Sequence, residues 1–415
     1  MENSDRLKKD FIWNTLGSAV YALSSVVLSF VAMRLLGSED GGIFAFGFST
    51  FGQQMFIIAY FGIRPFHITD VRGEYAFSDY ERARILTSFS AVLFALLYLS
   101  VFFATGKYSL LKTSGIFLLA LYKIADGVAD CYECECQRQG LLWRGGRELF
   151  LRTVLCAGGF LLLLVFTKDL MLAAACAVLF QLFCILFFRK RLSESEVLET
   201  GGAGEKSGQL LKNTALLFLG VFLDFYIFSS SKYAIDLRMS DTESGLFNLL
   251  FMPANVIYLA ANFVIKPFMT RMAAAVETGD REGFGRMKKQ ITRIIAGLTA
   301  AGCLCAAVLG KPVLRLFELL LGETYTGLLS IRAGELVILI FAGGLYALAS
   351  LYYYILVIFR KQKTIFTVYL VTAVLAAVLS LIFVGAWGIT GAAVSCAVLM
   401  SVLVFLFAVQ LTALW

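Results

Sequence analysis

Three ionisable side chains interrupt one apolar stretch of the chain. Lys123, Asp126 and Asp130 lie between Phe117 and Glu133, at positions i, i+3 and i+7, and a helix places them within about 60° of one face. Each charge at the middle of a bilayer costs roughly 2.5 to 3.5 kcal/mol, so three are tolerated only when they pair or face water. The stripe therefore either faces a hydrated cavity, with Lys123 as its cation, or contains an architectural ion pair of Lys123 with one aspartate.

A second deep carboxylate, Asp224, lies well inside another apolar stretch. Asn213 lies on the same helical face, and Asn14 begins a comparable polar stripe in the first apolar stretch. Uncharged polar residues also serve close helix packing in membranes, whereas a lone carboxylate needs a partner or water. The candidates for lining the cavity or binding a coupling ion are Asp126, Asp130, Asp224, Asn14 and Asn213.

Four basic residues are candidates for receiving an anionic headgroup. Arg64 and Lys266 each precede a proline at corresponding ends of two apolar stretches. Arg152 reaches further into an apolar run than its neighbours Arg144 and Arg147. Each of these side chains is alternatively an ordinary interfacial anchor. The headgroup candidates are Lys123, Arg64, Arg152 and Lys266.

The elements that must position these side chains are membrane helices. With 59% hydrophobic and 16% charged residues among 415, the chain is typical of a polytopic membrane protein. Apolar windows of about 20 residues recur along its length, which is the signal of transmembrane helices. They predict twelve spans near 11–33, 42–63, 84–106, 114–137, 147–167, 170–188, 210–231, 245–266, 290–310, 332–358, 364–385 and 389–411.

The spans divide into two sets of six. A Glu-, Ser- and Gly-rich interval separates them, so we expect an N-terminal half at 1–190, a cytoplasmic linker at 191–209 and a C-terminal half at 210–415. Local sequences recur in register, as in Arg64-Pro-Phe and Lys266-Pro-Phe. Because each half holds an even number of spans, the repeat is predicted to be parallel, with the binding site in a central cavity between the halves.

The basic residues predict the orientation. When consecutive spans alternate, most Lys and Arg fall on the side that holds both termini, which the positive-inside rule makes cytoplasmic. The net charge of +7 is therefore mainly a topology signal, and no motif for nucleic acid accompanies it.

Several chemistries lack their motifs. The chain has no phosphate-binding G-x-x-x-x-G-K-[ST] loop, no H-E-x-x-H and no serine nucleophile motif, so we expect neither an enzyme nor a cofactor. Cys131, Cys134 and Cys136 have a spacing suited to a metal, but no fourth ligand lies nearby and His67 is the only histidine. We expect no metal site.

The sequence Arg34-Leu-Leu-Gly-Ser-Glu-Asp-Gly-Gly-Ile-Phe44 follows the first span. Together with twelve spans in two parallel halves, it resembles Wzx-type O-antigen flippases, in the polysaccharide transporter branch of the multidrug/oligosaccharidyl-lipid/polysaccharide (MOP) exporter superfamily. The resemblance implies alternating-access translocation of an undecaprenyl-diphosphate-linked oligosaccharide from the cytoplasmic to the outer leaflet of a bacterial plasma membrane. Coupling to H⁺ or Na⁺, contacts with membrane lipids and cooperation with glycan polymerase machinery are further implications.

The chain departs from the neighbouring groups in two respects. It lacks the two extra C-terminal spans of the lipid II flippase group, and Lys123 is the only deep lysine beside the carboxylates of the fourth span. The alternative is a drug or organic-cation antiporter of the related MATE type, in which these acids bind the substrate itself. A third reading is a non-transporting scaffold of a glycan assembly complex.

Overall fold

The computed structural model describes residues 2–70, 73–195, 197–198 and 204–412, and these residues form helices and no strand. The α-helices are α1 (Glu2–Phe46), α2 (Gly52–Tyr60), α3 (Ile63–Thr69), α4 (Phe77–Ala104), α5 (Leu110–Arg138), α6 (Leu142–Thr167), α7 (Leu170–Glu194), α8 (Ser207–Arg238), α9 (Asp241–Glu277), α10 (Arg281–Leu321), α11 (Ala333–Ile358) and α12 (Gln362–Thr412). A π-helical turn, Gly47–Phe51, joins α1 to α2, and short 3₁₀ turns, Glu323–Tyr325 and Ser330–Arg332, precede α11.

The predicted twelve-span, all-helical fold class is confirmed. Nine helical stretches of the described chain are long and apolar enough to cross a membrane. Two of them, Lys8–Tyr60 and Gln362–Thr412, each contain two predicted spans, and α5 supplies the remaining one despite its charges. Gly37 and Gly388 adopt positive φ angles of 80° and 58° inside α1 and α12, where the sequence predicts turns between spans. Glycine permits these kinks because it lacks a Cβ.

The chain forms two compact units, Met1–Phe222 and Leu223–Trp415, called unit 1 and unit 2 below. The border between them falls within α8, beyond the interval predicted to link the halves. Within unit 2, α11 packs against α9, α10 and α12. The division at 191–209 and the parallel repeat remain predictions.

Helix α5 is the centre of unit 1, where it packs against α2, α4, α6 and α7. Ser109 caps its first turn by accepting a hydrogen bond from the Lys112 amide at 3.1 Å. A Cβ at Gly127 would lie 2.8 Å from the Cβ of Ala59, so α2 approaches closely at this glycine. The charged stripe of α5 is therefore enclosed by protein.

Candidate functional site

Asp126 lies at a junction of four helices of unit 1. Arg152 of α6 binds it through Nη1 and reaches Oε1 of Glu133 with Nη2 at 3.0 Å. Gln181 of α7 donates Nε2–H to Asp126 at 2.5 Å, and the Tyr21 hydroxyl of α1 donates at 3.2 Å. The partner of Asp126 is thus an arginine from another helix.

Asp130, one turn further along α5, holds two arginines. Arg84 of α4 donates Nη2–H to Oδ2 at 2.8 Å, and its side chain is almost fully buried. Arg64 of α3 binds Oδ1 through Nη1 and donates Nη2–H to Gln137 at 3.1 Å. The Arg64 side chain is 33% exposed, so part of its guanidinium remains accessible.

Lys123 is buried but makes a different contact from the one considered from the sequence. Its Nζ lies 3.9 Å from the ring centroid of Phe48, in the π-helical turn, and 5.8 Å from that of Tyr21. In the described chain it forms no ion pair with Asp126 or Asp130 within 4 Å. The architectural pair considered from the sequence is therefore replaced by cation–π contacts.

A cavity of about 440 Å³ in unit 1 is lined by both aspartates and by Arg64 and Arg152. The predicted site residues that line it are Asn14, Arg64, Asp126, Asp130 and Arg152, joined by Glu133. Each of the three carboxylates among its described lining residues is bound by at least one arginine. The sequence indicated that these acids are matched by one lysine only; the structure supplies Arg64, Arg84 and Arg152 from outside α5.

Asp224 lies in unit 2, where the Tyr346 hydroxyl donates to its Oδ2 at 2.6 Å. The Tyr346 ring stacks on Phe228 at 4.1 Å and on Tyr258 at 4.4 Å. Among the residues that the structure describes, no Lys or Arg forms an ion pair with Asp224. This is a carboxylate in aromatic surroundings.

Asn213 and Lys266 are the remaining predicted residues, and Asn213, like Lys123 and Asp224, is not among the described residues that line the cavity. Asn213 of α8 donates its Nδ2–H to the Tyr75 hydroxyl at 3.0 Å, elsewhere in unit 1. Lys266 lies within α9, and its side chain is outside the described part of the structure.

Sequence reasoning missed Arg84, Glu133 and Gln181. Glu133 had a usable signal, because it continues the helical stripe of Asp126 and Asp130. Arg84 had none, because a basic residue near the start of a span looks like any interfacial anchor.

His67 has a structural role beside the cavity. It lies in the short α3, beyond the end of the second span, and its Nε2 is 2.8 Å from Oε2 of the buried Glu135. Its ring stacks on Tyr80 at 3.9 Å, and Arg138 also binds Glu135 at 2.8 Å. Burial lowers the pKa of His67 below its usual value, against the opposing effect of Glu135. Its Nδ1 has no hydrogen-bond partner in the described structure, which suits a neutral ring donating through Nε2.

No family model matches the sequence, and no curated protein matches it either. Solved structures share its fold. An inward-facing multidrug resistance MATE family transporter of the MOP superfamily has a TM-score of 0.68 at 13% identity, over 95% of this chain and 94% of that one. The lipid II flippase MurJ, in an inward closed conformation, has a TM-score of 0.68 at 12% identity, over 96% and 87%. The Vibrio cholerae MATE transporter VcmN, in its bent form, has a TM-score of 0.59 at 15% identity, over 99% and 98%. The chain has the fold of these membrane transporters and flippases.

Proposed function

We propose that the protein is a Wzx-type flippase that moves an undecaprenyl-diphosphate-linked oligosaccharide from the cytoplasmic to the outer leaflet. The observation that carries this proposal is the pairing of the three described carboxylates of the unit 1 cavity, Asp126, Asp130 and Glu133, with arginines. An organic cation entering this cavity would have to displace an arginine, and breaking a buried ion pair costs about 3 to 5 kcal/mol.

An anion meets a different surface. Arg64 is partly exposed and has N–H groups beyond the two that bind Asp130 and Gln137. A guanidinium binds phosphate oxygens through paired, charge-assisted hydrogen bonds. The cavity can therefore accept a diphosphate at Arg64 while its carboxylates keep their other arginine partners, Arg84 on Asp130 and Arg152 on Asp126.

The proposal includes ion coupling, with Asp126, Asp130 and Asp224 as the candidate carboxylates for binding H⁺ or Na⁺. The prenyl tail stays in lipid while the glycan crosses through the hydrated cavity. The proposal includes a bacterial plasma membrane, cytoplasmic termini, rocking of the predicted halves and service to surface polysaccharide biosynthesis with its polymerase machinery.

The test is a leaflet-accessibility assay in proteoliposomes that contain a fluorescent undecaprenyl-diphosphate oligosaccharide. Losing one charge-assisted contact to the diphosphate corresponds to about 1.5 to 3 kcal/mol, so Arg64→Ala is expected to slow flipping by roughly tenfold or more. Arg64→Lys should recover part of the rate, and Arg293→Ala, an exposed arginine of unit 2, should have no effect. Flipping by Arg64→Ala at the wild-type rate would contradict the proposal.

The second candidate function is organic-cation antiport, and Asp224 favours it. A carboxylate with stacked aromatic rings of Tyr346, Phe228 and Tyr258 is the chemistry that recognises quaternary ammonium ions. Expression in a dye-sensitive host distinguishes the two functions. Resistance to cationic dyes that is lost in Asp224→Asn, together with absent flipping, would establish antiport instead.

A further inference from the structure

A second hollow lies elsewhere in unit 1. It has a volume of about 280 Å³ and lies between the beginning of α6 and the end of α7. Arg144 and Arg147 of α6 and Arg191 of α7 line it, and the buried side chains of Phe188 and Leu192 complete its wall. The sequence groups Arg144 and Arg147 with Arg152, but the structure separates them. Arg152 turns into the cavity, whereas its two neighbours face this hollow.

The arginines of the hollow are not neutralised as those of the cavity are. Arg144 donates to the Ser195 hydroxyl at 3.0 Å, and Arg147 and Arg191 lie over aromatic rings. Within the described residues, none of the three has a carboxylate oxygen within 4 Å. Among the described residues of the lining, Glu148 is the one that is acidic, so these residues give the hollow an excess of positive charge. Several unpaired guanidinium groups around one hollow are suited to phosphate oxygens.

The surface beside the arginines is apolar on both helices. On α7, Arg191 is followed towards the helix middle by Phe187 and Phe183, which are exposed and stacked with centroids 6.2 Å apart. On α6, the exposed Leu151 and Leu155 follow the arginines at the same spacing of one turn. Because α6 and α7 pack against each other, two apolar ladders begin at one basic hollow.

We propose that this hollow binds the phosphate headgroup of an anionic diacyl phospholipid from the surrounding bilayer, with its acyl chains along the two ladders. A free phosphate would use the arginines and leave the ladders unexplained, whereas an amphiphile uses both. Basic residues mark the cytoplasmic ends of membrane helices, so the lipid belongs to the inner leaflet. Trp143, which lines the hollow, is typical of the same interfacial depth.

The experiment measures binding of fluorescent phosphatidylglycerol and phosphatidylcholine to the purified full-length protein in non-ionic detergent. Wild type is expected to bind phosphatidylglycerol at least tenfold more tightly than phosphatidylcholine. Each basic side chain near an anionic lipid contributes about a fivefold factor in affinity. The variant Arg144→Gln/Arg147→Gln/Arg191→Gln should therefore bind phosphatidylglycerol roughly 100-fold more weakly, with unchanged affinity for phosphatidylcholine.

A matched control removes three exposed basic side chains from α10 of unit 2, as Arg286→Gln/Lys289→Gln/Arg293→Gln. This variant should bind phosphatidylglycerol with an affinity within about threefold of wild type, because none of its three changed residues is among those that line the hollow. Losing even one contact in the hollow would cost about fivefold. Equal losses in the two triple variants would show a mere net-charge effect and overturn the proposal. Equal binding of the two lipids by wild type would overturn it as well.

Competition separates the possible sources of the phosphate. Phosphatidylglycerol bound to wild type should resist millimolar inorganic phosphate and diphosphate, and displacement by either would overturn the lipid assignment. Preferential displacement by undecaprenyl diphosphate would identify a substrate site and overturn it too. If the triple glutamine variant does not fold, Arg191→Gln alone should still lower the affinity about fivefold, and unchanged affinity there refutes the proposal.

Discussion

Replacement of Arg152 by leucine is expected to destabilise the protein by about 3 to 5 kcal/mol, the usual cost of breaking a buried ion pair from one side. Arg152 is only 4% exposed and binds two carboxylates, those of Asp126 and Glu133. Asp126 keeps the hydrogen bonds from Gln181 and Tyr21, and Glu133 lines a cavity that water can enter. These remaining partners place the expected loss near the lower end of that range.

The double variant Arg152→Leu/Asp126→Leu should be more stable than Arg152→Leu alone, because replacing a whole buried pair by apolar groups is often close to neutral. We expect a coupling energy of about 2 to 3 kcal/mol between these residues, as for groups in one ion-pair network. Lys123→Leu combined with Asp126→Leu is the control cycle. Its coupling should stay below about 1 kcal/mol, because Lys123 contacts the Phe48 ring rather than the carboxylate.

The assay is reversible unfolding of the full-length protein in mixed micelles at pH 7, followed by tryptophan fluorescence and circular dichroism. Wild-type stability in Arg152→Leu would refute the assignment of Arg152 as the partner of Asp126. A larger coupling for Lys123 with Asp126 than for Arg152 with Asp126 would refute it equally.

Three further predictions concern packing, pH and coupling. Gly146→Ala should destabilise the protein by about 1 to 3 kcal/mol, because the added Cβ would lie 2.6 Å from the Trp13 backbone. The control is Gly158→Ala on the same helix, where the added Cβ meets open space and stability should not change. Equal stabilities of the two variants in the same unfolding assay would contradict this prediction. The pKa of His67 is lowered in the folded protein. The contribution of its neutral ring to the free energy of unfolding is therefore complete above pH 6.5 and is lost as the pH falls through the lower pKa of the folded state. Wild type should therefore lose more stability between pH 7 and pH 5 than His67→Gln, and parallel losses would show that His67 does not titrate as described. Asp224→Asn should alter the sodium or pH dependence of transport in proteoliposomes while expression stays near the wild-type level, and an unchanged ion dependence would remove Asp224 from the coupling candidates.

The membrane helices were predictable from the sequence because their formation is local. A helix in lipid satisfies its backbone hydrogen bonds internally, so a sufficiently long apolar run specifies a span without reference to the rest of the chain. The confirmed fold class rests on this rule, and the span that contains α5 was predicted despite the charges that interrupt its apolar stretch. The kinks at Gly37 and Gly388 interrupt α1 and α12 where the hydropathy predicts boundaries between spans.

The sequence also indicated which residues need partners. The periodicity of Asp126 and Asp130 places them on one face of α5, and their insertion cost requires compensation. The structure brings both into one cavity with Asn14, Arg64 and Arg152. Asn213 contacts Tyr75 instead, because a polar residue in a membrane helix is equally suited to packing and to ligand binding.

Only the tertiary structure decided which cation compensates which carboxylate. Lys123, the nearest in sequence, contacts the Phe48 ring, while the partners of Asp130 lie 66 and 46 positions away at Arg64 and Arg84, and that of Asp126 lies 26 positions away at Arg152. The insertion cost of a charge depends on its own depth and is readable from its own helix. Its compensation depends on the helices that pack beside it, and the pattern along α5 contains no information about them.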